Sequence, residues 1–410
     1  MTTFSDSDVE TTFDPNESIA VISGNRNNVE TRLPMYDQVA KIAKTVVAAH
    51  AESVDADARF PRESIDALRS VGALGCMIPV AQGGSGLTIV ETAKITECLG
   101  QYCSSTAMVF AMHQIQVASL IRHGRNACLR GFTREVAEHQ LLLASATTET
   151  GIGGDVRSSL CFVERDGDRF HLEKDAPVIS YGAYADAILV TARRNEQSPA
   201  NDQVLVVCRR EATVLTPTTV WDTLGFRGTC SPGHLLKSDG PIEMILDDPY
   251  SDVSSATMLP TSHVVWGSVW LGIANAAVSN ARKYVQKAAR QKPGTMPPGA
   301  VRLAELVGTQ LQFSELVHGS ARRYERAMEN IDELSNMRFA IDMNTLKISS
   351  STFVVDIVGR AMLITGISGY RLDSPFSLGR LLRDAYGAAL MVNNDRIAAN
   401  TAQLVLIAKE

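Results

Sequence analysis

Leu141-Leu-Leu-Ala-Ser-Ala-Thr-Thr-Glu-Thr-Gly-Ile-Gly-Gly-Asp155 is the stretch on which the reading of the chain turns. Before it, apolar residues recur every three or four positions. After it come short apolar or alternating runs set between Gly, Pro, Asn and Asp. Within it, an apolar run of strand length meets a glycine cluster. Bare backbone N–H groups there can approach an anion or a polar ring edge, with the hydroxyls of Thr147 and Thr148 beside them and Gly153 and Gly154 completing the turn. A plain β-turn explains the same residues. A P-loop does not, because no Gly-Lys-Ser/Thr follows, and a dinucleotide fingerprint lacks its βαβ surroundings.

Upstream, Val39, Ile42, Ala43, Val46 and Val47 keep helical spacing, and Pro61 opens a helix closed near Gly72. Helical patterns over Thr88–Gly100 and Ser104–His123 follow, so 35–140 reads as an all-α domain. Downstream, Arg169–Glu173, Ala187–Thr191, Gln203–Cys208 and Pro241–Leu246 read as strands, making 141–254 a β domain. From 255 to 410 the pattern is helical again. Patterns over Ser262–Gln291, Val301–Ile331 and Arg338–Thr365 are long, and those over Pro375–Leu390 and Asp395–Lys409 are shorter. This predicts an α-hairpin bundle. Residues 1–34 are polar and acidic and read as a flexible extension.

The 410 residues carry 39 Lys and Arg against 45 Asp and Glu, so no basic stripe marks a nucleic-acid partner. Aromatics at 6% also argue against a base-stacking surface. The seven cysteines are scattered without a C-x-x-C pair, which favours free thiols in the cytoplasm over a disulfide framework or zinc ligation. No metal site is expected. The N-terminus lacks an apolar signal core, and Val264–Val278 is too short to span a membrane.

Further segments carry chemistry only in combination. Val178-Ile-Ser-Tyr-Gly182 puts Ser180 at a strand end, and Trp221–Thr229 is a turn-rich loop. Thr365-Gly-Ile-Ser-Gly-Tyr370 ends a long helix, for which a C-cap at Gly366 is the simple account. Arg383 and Asp384 are adjacent, so each must find a partner elsewhere.

In this order and spacing the segments resemble the acyl-CoA dehydrogenase superfamily from about residue 35 to 410. Leu74–Gly86 is similar to its G-x-x-x-P-x-x-x-G-G-x-G loop, Thr148–Asp155 to T-E-P-G-A-G-S-D, and Gly366–Tyr370 with Arg383-Asp384 to G-G-x-G-Y and R-D. The resemblance implies an α+β multidomain fold: an N-terminal all-α domain, a middle β-barrel or sandwich domain, and a C-terminal four-helix bundle. It also implies FAD, an acyl thioester substrate, and a homotetramer or dimer. Thr148 would then meet the pyrimidine edge of the flavin, with Thr147, Gly153 and Gly154 beside it. Ser180 would lie near N5, and Gly366 and Tyr370 would face the adenosine of a neighbouring subunit's cofactor.

The departures bear on function. The carboxylate base eight residues past R-D is Val392 here, in Met391-Val-Asn-Asn-Asp395. The alternative base position, at the start of the first C-terminal helix, reads Thr261-Ser-His-Val264. His263, Asn393 and Asp395 are therefore the catalytic candidates. His263 is an acid/base group or a satisfied helix-start histidine. Asp395 is a relocated base or the N-cap of 396–408. The Trp that commonly covers the flavin is Val178, and the R-x-x-F-G pyrophosphate motif has no match beyond Arg290. Three functions follow in order. The first is a flavin-dependent oxygenase or oxidase acting with O2 on an acyl thioester in specialised metabolism. The second is an acyl-CoA dehydrogenase with a relocated base. The third is a non-catalytic binding subunit.

Overall fold

The structure, a computed structural model, describes residues 33–408. The expected extension therefore lies outside the described residues, except for its last two positions, which already belong to the first helix. Six helices come first: α1 (Leu33–Ile42), α2 (Ala48–Ala56), α3 (Arg62–Ser70), α4 (Ile89–Gly100), α5 (Ser104–His123) and α6 (Ala127–His139). The ends of α4 and α6 are built from local chemistry. Thr88 and Glu91 form a reciprocal capping box at the start of α4, and Asn126 accepts from the Leu129 N–H at 2.9 Å to cap α6. α5 is buried along nearly its whole length.

The middle domain has two sheets. β1 (Leu143–Ala146) pairs in parallel with β4 (Ala187–Arg193), which pairs antiparallel with β5 (Gln203–Arg209). β2 (Glu164–Asp166), β3 (Arg169–Ala176), β6 (Thr213–Pro217) and β7 (His234–Pro241) form an antiparallel sheet in the order β2-β3-β7-β6. β3 alternates exposed and buried residues, as a sheet with one wet face requires, whereas β4 and β5 are buried on both faces.

One expected strand is displaced. Pro241–Leu246 is not a strand: β7 ends at Pro241, and Ile242–Met244 is a 3-10 turn. Pro241 has no N–H to extend a ladder. The true strand carries Lys237 and Asp239 on its wetter face and buries Ser238 and Gly240 on the other, so these four residues read as a turn.

The remaining helices are α7 (Tyr250–Val253), α8 (Leu259–Gln291), α9 (Ala300–Ala327), α10 (Ile331–Leu334), α11 (Met337–Thr365), α12 (Ile367–Tyr370), α13 (Gly379–Gly387) and α14 (Asn394–Ile407). α8, α9 and α11 pack on one another, and α13 and α14 lie along α11. α4 crosses α8 at a glycine pair, where a Cβ on Gly272 would come 2.4 Å from the Glu97 carbonyl oxygen. α11 is the one described helix long and apolar enough to cross a membrane by length and composition. Here it buries Asn344, Lys347, Ser350 and Ser351 inside the bundle.

Candidate functional site

The glycine-rich segment after β1 is anchored by a residue that sequence reasoning passed over. Glu149 is buried and accepts from the N–H groups of Leu160 (3.1 Å) and Cys161 (2.6 Å). Lys174 of β3, also buried, reaches Glu149 Oε2 at 3.1 Å and the Thr191 carbonyl at 2.8 Å. Each buried charge thus has a partner. With Glu149 turned inward, half-buried Thr147 and Thr148 lie beside it, and Gly151, Gly153 and Gly154 turn the chain at φ of 93°, 59° and 75°. Thr148 Oγ1 donates to the Val178 carbonyl at 3.4 Å, which brings the first and second motifs together.

Ser180 is presented by a strained turn. Tyr181 adopts φ 43° and is buried, and its hydroxyl donates to the Leu143 carbonyl at 2.9 Å. Ser231 Oγ donates to Ser180 Oγ at 2.9 Å, so the Ser180 proton is left to point elsewhere. Val178, at the expected shield position, is 39% exposed. Thr148, Val178 and Ser180 therefore share one accessible edge of the β domain.

The bundle side holds the empty base position. Val392 is exposed and adopts φ 46°, a conformation that a β-branched residue rarely takes. Asn393, not Asp395, is the N-cap of α14: its Oδ1 accepts from the Asp395 N–H at 2.7 Å, and Asp395 itself is exposed in the first turn. The capping account of Asp395 thus passes to a residue two positions earlier. His263 is buried on α8 against Trp266, with Nδ1 2.9 Å from the Met343 carbonyl. Burial pushes its pKa down to about 4, so it is a neutral, hydrogen-bonded core histidine.

Lys347 lies between these two positions and was missed. Its ammonium donates to the Val392 carbonyl and to Asn394 Oδ1, each at 2.7 Å, above the ring of Trp270. The signal was the lysine itself: Lys347 falls four residues from both Met343 and Ser351, on the face of α11 that also carries Leu346, Ser350 and Val354. Arg396, in the first turn of α14, donates to the carbonyls of Gly153 and Gly154. The first turn of α14 therefore touches both the base position and the glycine loop.

Gly366 closes α11 at φ 57°, its N–H bonded to the Met362 carbonyl at 2.8 Å. A Cβ there would meet nothing within 4 Å, and Tyr370 is 72% exposed. No described contact joins Gly366 or Tyr370 to Thr148 or Ser180. Arg383 and Asp384 find separate partners, as their adjacency requires. Arg383 pairs with Asp55 of α2, and Asp384 accepts from the Phe226 N–H at 2.6 Å and from Ser104.

Models of the acyl-CoA dehydrogenase N-terminal and C-terminal domains match residues 30–162 and 256–392. The chain belongs to the acyl-CoA dehydrogenase family. Cyclohex-1-ene-1-carbonyl-CoA dehydrogenase of Geobacter metallireducens is 24% identical over 85% of this chain and 90% of its own length. Butyryl-CoA dehydrogenase of Megasphaera elsdenii superposes with a TM-score of 0.80 at 20% identity, covering 93% of this chain and all of its own. Dibenzothiophene monooxygenase of Paenibacillus sp. A11-2 superposes with a TM-score of 0.78 at 17% identity, covering 91% of this chain and 97% of its own. Both superpositions show the shared fold.

The family is one of flavin-dependent oxidoreductases, and the residues present fit a flavin. An accessible edge with two hydroxyls, Thr148 and Ser180, offers hydrogen bonds to a polar ring, and the Val178 side chain beside it is small and exposed. In this acyl-CoA dehydrogenase family member, the residues that the resemblance puts at the two base positions, Val392 and His263, are not carboxylates.

Proposed function

We propose that this chain is an FAD-dependent oxidoreductase that acts on an acyl thioester and consumes O2, as an oxygenase or oxidase. The observation that carries the reading is Val392: at the family's base position stands an exposed aliphatic side chain on a left-handed turn, which can neither take nor give a proton. The second base position holds His263, neutral and tied to the Met343 carbonyl. Thr148 and Ser180 would hold the flavin ring edge, with Thr147, Gly153 and Gly154 completing the cradle. Once bound and reduced, the flavin supplies two electrons, to O2 in this reading. The small side chain at Val178 leaves that face accessible.

Leu363, Ile367, Tyr370 and Leu372, all exposed within ten residues where α11 gives way to α12, offer apolar surface to another copy of the chain, in keeping with a homotetramer or dimer. The deciding experiment mixes the purified yellow protein with candidate acyl-CoAs, with and without oxygen. The reading expects turnover beyond one equivalent of the flavin only with O2, with a chemical reductant added where the acyl-CoA does not itself bleach the flavin, and mass analysis then separates oxygen insertion from oxidation. Full turnover with a dye acceptor in the absence of O2 overturns it.

A second reading, a dehydrogenase with Asp395 as base, draws on one observation. Because Asn393 makes the cap, the Asp395 carboxylate is not committed to it. Under that reading Asp395→Asn abolishes anaerobic bleaching of the flavin by substrate. Under the first it leaves turnover with O2 within about twofold, as expected for an exposed first-turn residue.

A further inference from the structure

The two buried lysines among the described residues differ in one respect. Lys174 faces a carboxylate, Glu149. Lys347 has no carboxylate among its described hydrogen-bond partners, both of which come from the segment that replaces the family's base. A buried ammonium bound only by neutral groups is costly to keep, so the fold retains it against a desolvation penalty. Its two acceptors show what it holds. The Val392 carbonyl belongs to the strained left-handed residue, and Asn394 opens α14. Asn394 is held a second time, its Nδ2 donating to Ser351 Oγ at 2.9 Å, one turn after Lys347 on the same face of α11. Two residues further along, Arg396 lays its guanidinium on the carbonyls of Gly153 and Gly154.

We propose that Lys347 is a positioning residue that fixes the Val392 turn and the first turn of α14, and through Arg396 sets the placement of the glycine-rich loop. The chain of contacts is continuous. α11 holds Val392 and Asn394, these fix where α14 begins, and the start of α14 places Arg396 over the loop that lies beside Thr148. One helix terminus thus links the base position of the bundle to the ring-edge loop of the β domain. This does not depend on which reaction the protein performs.

The linkage is sensitive to alkaline pH. Burial pushes the Lys347 pKa down to about 8. Above that value the amine keeps donors but loses the charge that strengthens both bonds. The groups that face it are few. From α8 it meets His263, already neutral, and the ring of Trp270. From α14 and its preceding turn it meets the Val392 carbonyl and Asn394, while Asp395 is exposed and Arg396 is engaged with the glycine loop. On α11 itself, Asp342 pairs with Arg323 of α9, and Asp356 with Arg360. On α13, Arg383 pairs with Asp55 and Asp384 accepts from Phe226 and Ser104.

The test is amide hydrogen exchange on the purified full-length protein, corrected for intrinsic rates, in peptides covering 150–156 and 388–397. Lys347→Met removes the charge at similar volume, and Arg396→Gln removes only the second contact. At pH 7, Lys347→Met is expected to raise opening in both segments by about tenfold, the effect of losing a charged hydrogen bond. Arg396→Gln should raise it in 150–156 alone. Raising the pH of the wild type from 7 to 9.5 should loosen both segments, and Lys347→Met should not respond. If Lys347→Met leaves 388–397 as protected as the wild type, Lys347 does not position the turn. If it loosens 388–397 but not 150–156, the link through Arg396 is wrong. Should Lys347→Met fail to fold, Lys347→Arg serves in its place. With its higher pKa, it should abolish the response to pH between 7 and 9.5, and a retained response overturns the proposal.

Discussion

Glu149 and Lys174 form a buried ion pair whose worth lies in what happens when half of it is removed. Glu149→Gln leaves the Lys174 ammonium inside the β domain with the Thr191 carbonyl and hydroxyl but no counter-charge. We expect a loss of about 3–5 kcal/mol in chemical denaturation, and recovery of most of it in the double variant Glu149→Gln/Lys174→Met. If the single variant unfolds at the wild-type midpoint, the pair is not what anchors the loop. Such residues show how far the sequence could be read. Thr148 and Ser180 stood out in the sequence because glycines lie three and two positions after them. Glu149 was not, because a carboxylate beside a turn reads as solvated unless the lysine 25 positions away is known to fold over it. His263 was legible as a helix-start residue, but its burial depends on a carbonyl 80 positions further along.

At the scale of the element, α14 shows the difference between a helix and its boundary. The periodicity of 395–409 foretold a helix, yet the cap is Asn393, with Asp395 one step inside the first turn. Asn393→Ala should cost about 1 kcal/mol by removing the acceptor for the Asp395 N–H. Asp395→Asn should cost less, since an exposed acid in a first turn interacts only with the helix dipole. Thermal melts of the two variants decide the order, and a reversed order returns the cap to Asp395. The long helices were legible within a few residues because each buries a stripe at regular spacing. Strand β7 was not, since Lys237 and Asp239 stand on its wetter face and the buried Ser238, bonded to Thr213, stands where an apolar residue would mark a strand.

Across the whole molecule, Arg383 and Asp384 join parts of the chain that are remote in sequence. Arg383 of α13 holds Asp55 of α2 and the Leu224 carbonyl at 3.0 Å, while Asp384 holds the Phe226 N–H and Ser104 of α5. The Trp221–Thr229 loop passes so close that a Cβ on Gly225 would lie 2.3 Å from the Arg383 carbonyl oxygen. The sequence indicated that the two neighbours must part company, and the fold determined where each goes. Asp384 is fully enclosed, and burial raises its pKa above the ordinary aspartate value despite the nearby Arg380 and its two hydrogen bonds. The sign of the consequence follows from proton linkage. Between the unfolded value and the raised folded value, the folded protein binds more protons than the unfolded one, so this residue's contribution to stability falls as pH rises through that window. Carboxylates such as Glu63 and Asp202, held low by arginines, act in the opposite direction, so the wild-type curve alone does not isolate Asp384. The difference between wild type and Asp384→Asn does. The amide keeps an oxygen for the Phe226 N–H and carries no charge to desolvate. The variant should therefore gain on the wild type as pH climbs from below the ordinary aspartate value to neutrality, with the gain levelling off above the raised value. Urea midpoints taken across that range give the answer. A difference that stays constant with pH, or that favours the wild type increasingly, would mean that the charged form of Asp384 is the one this junction is built to hold.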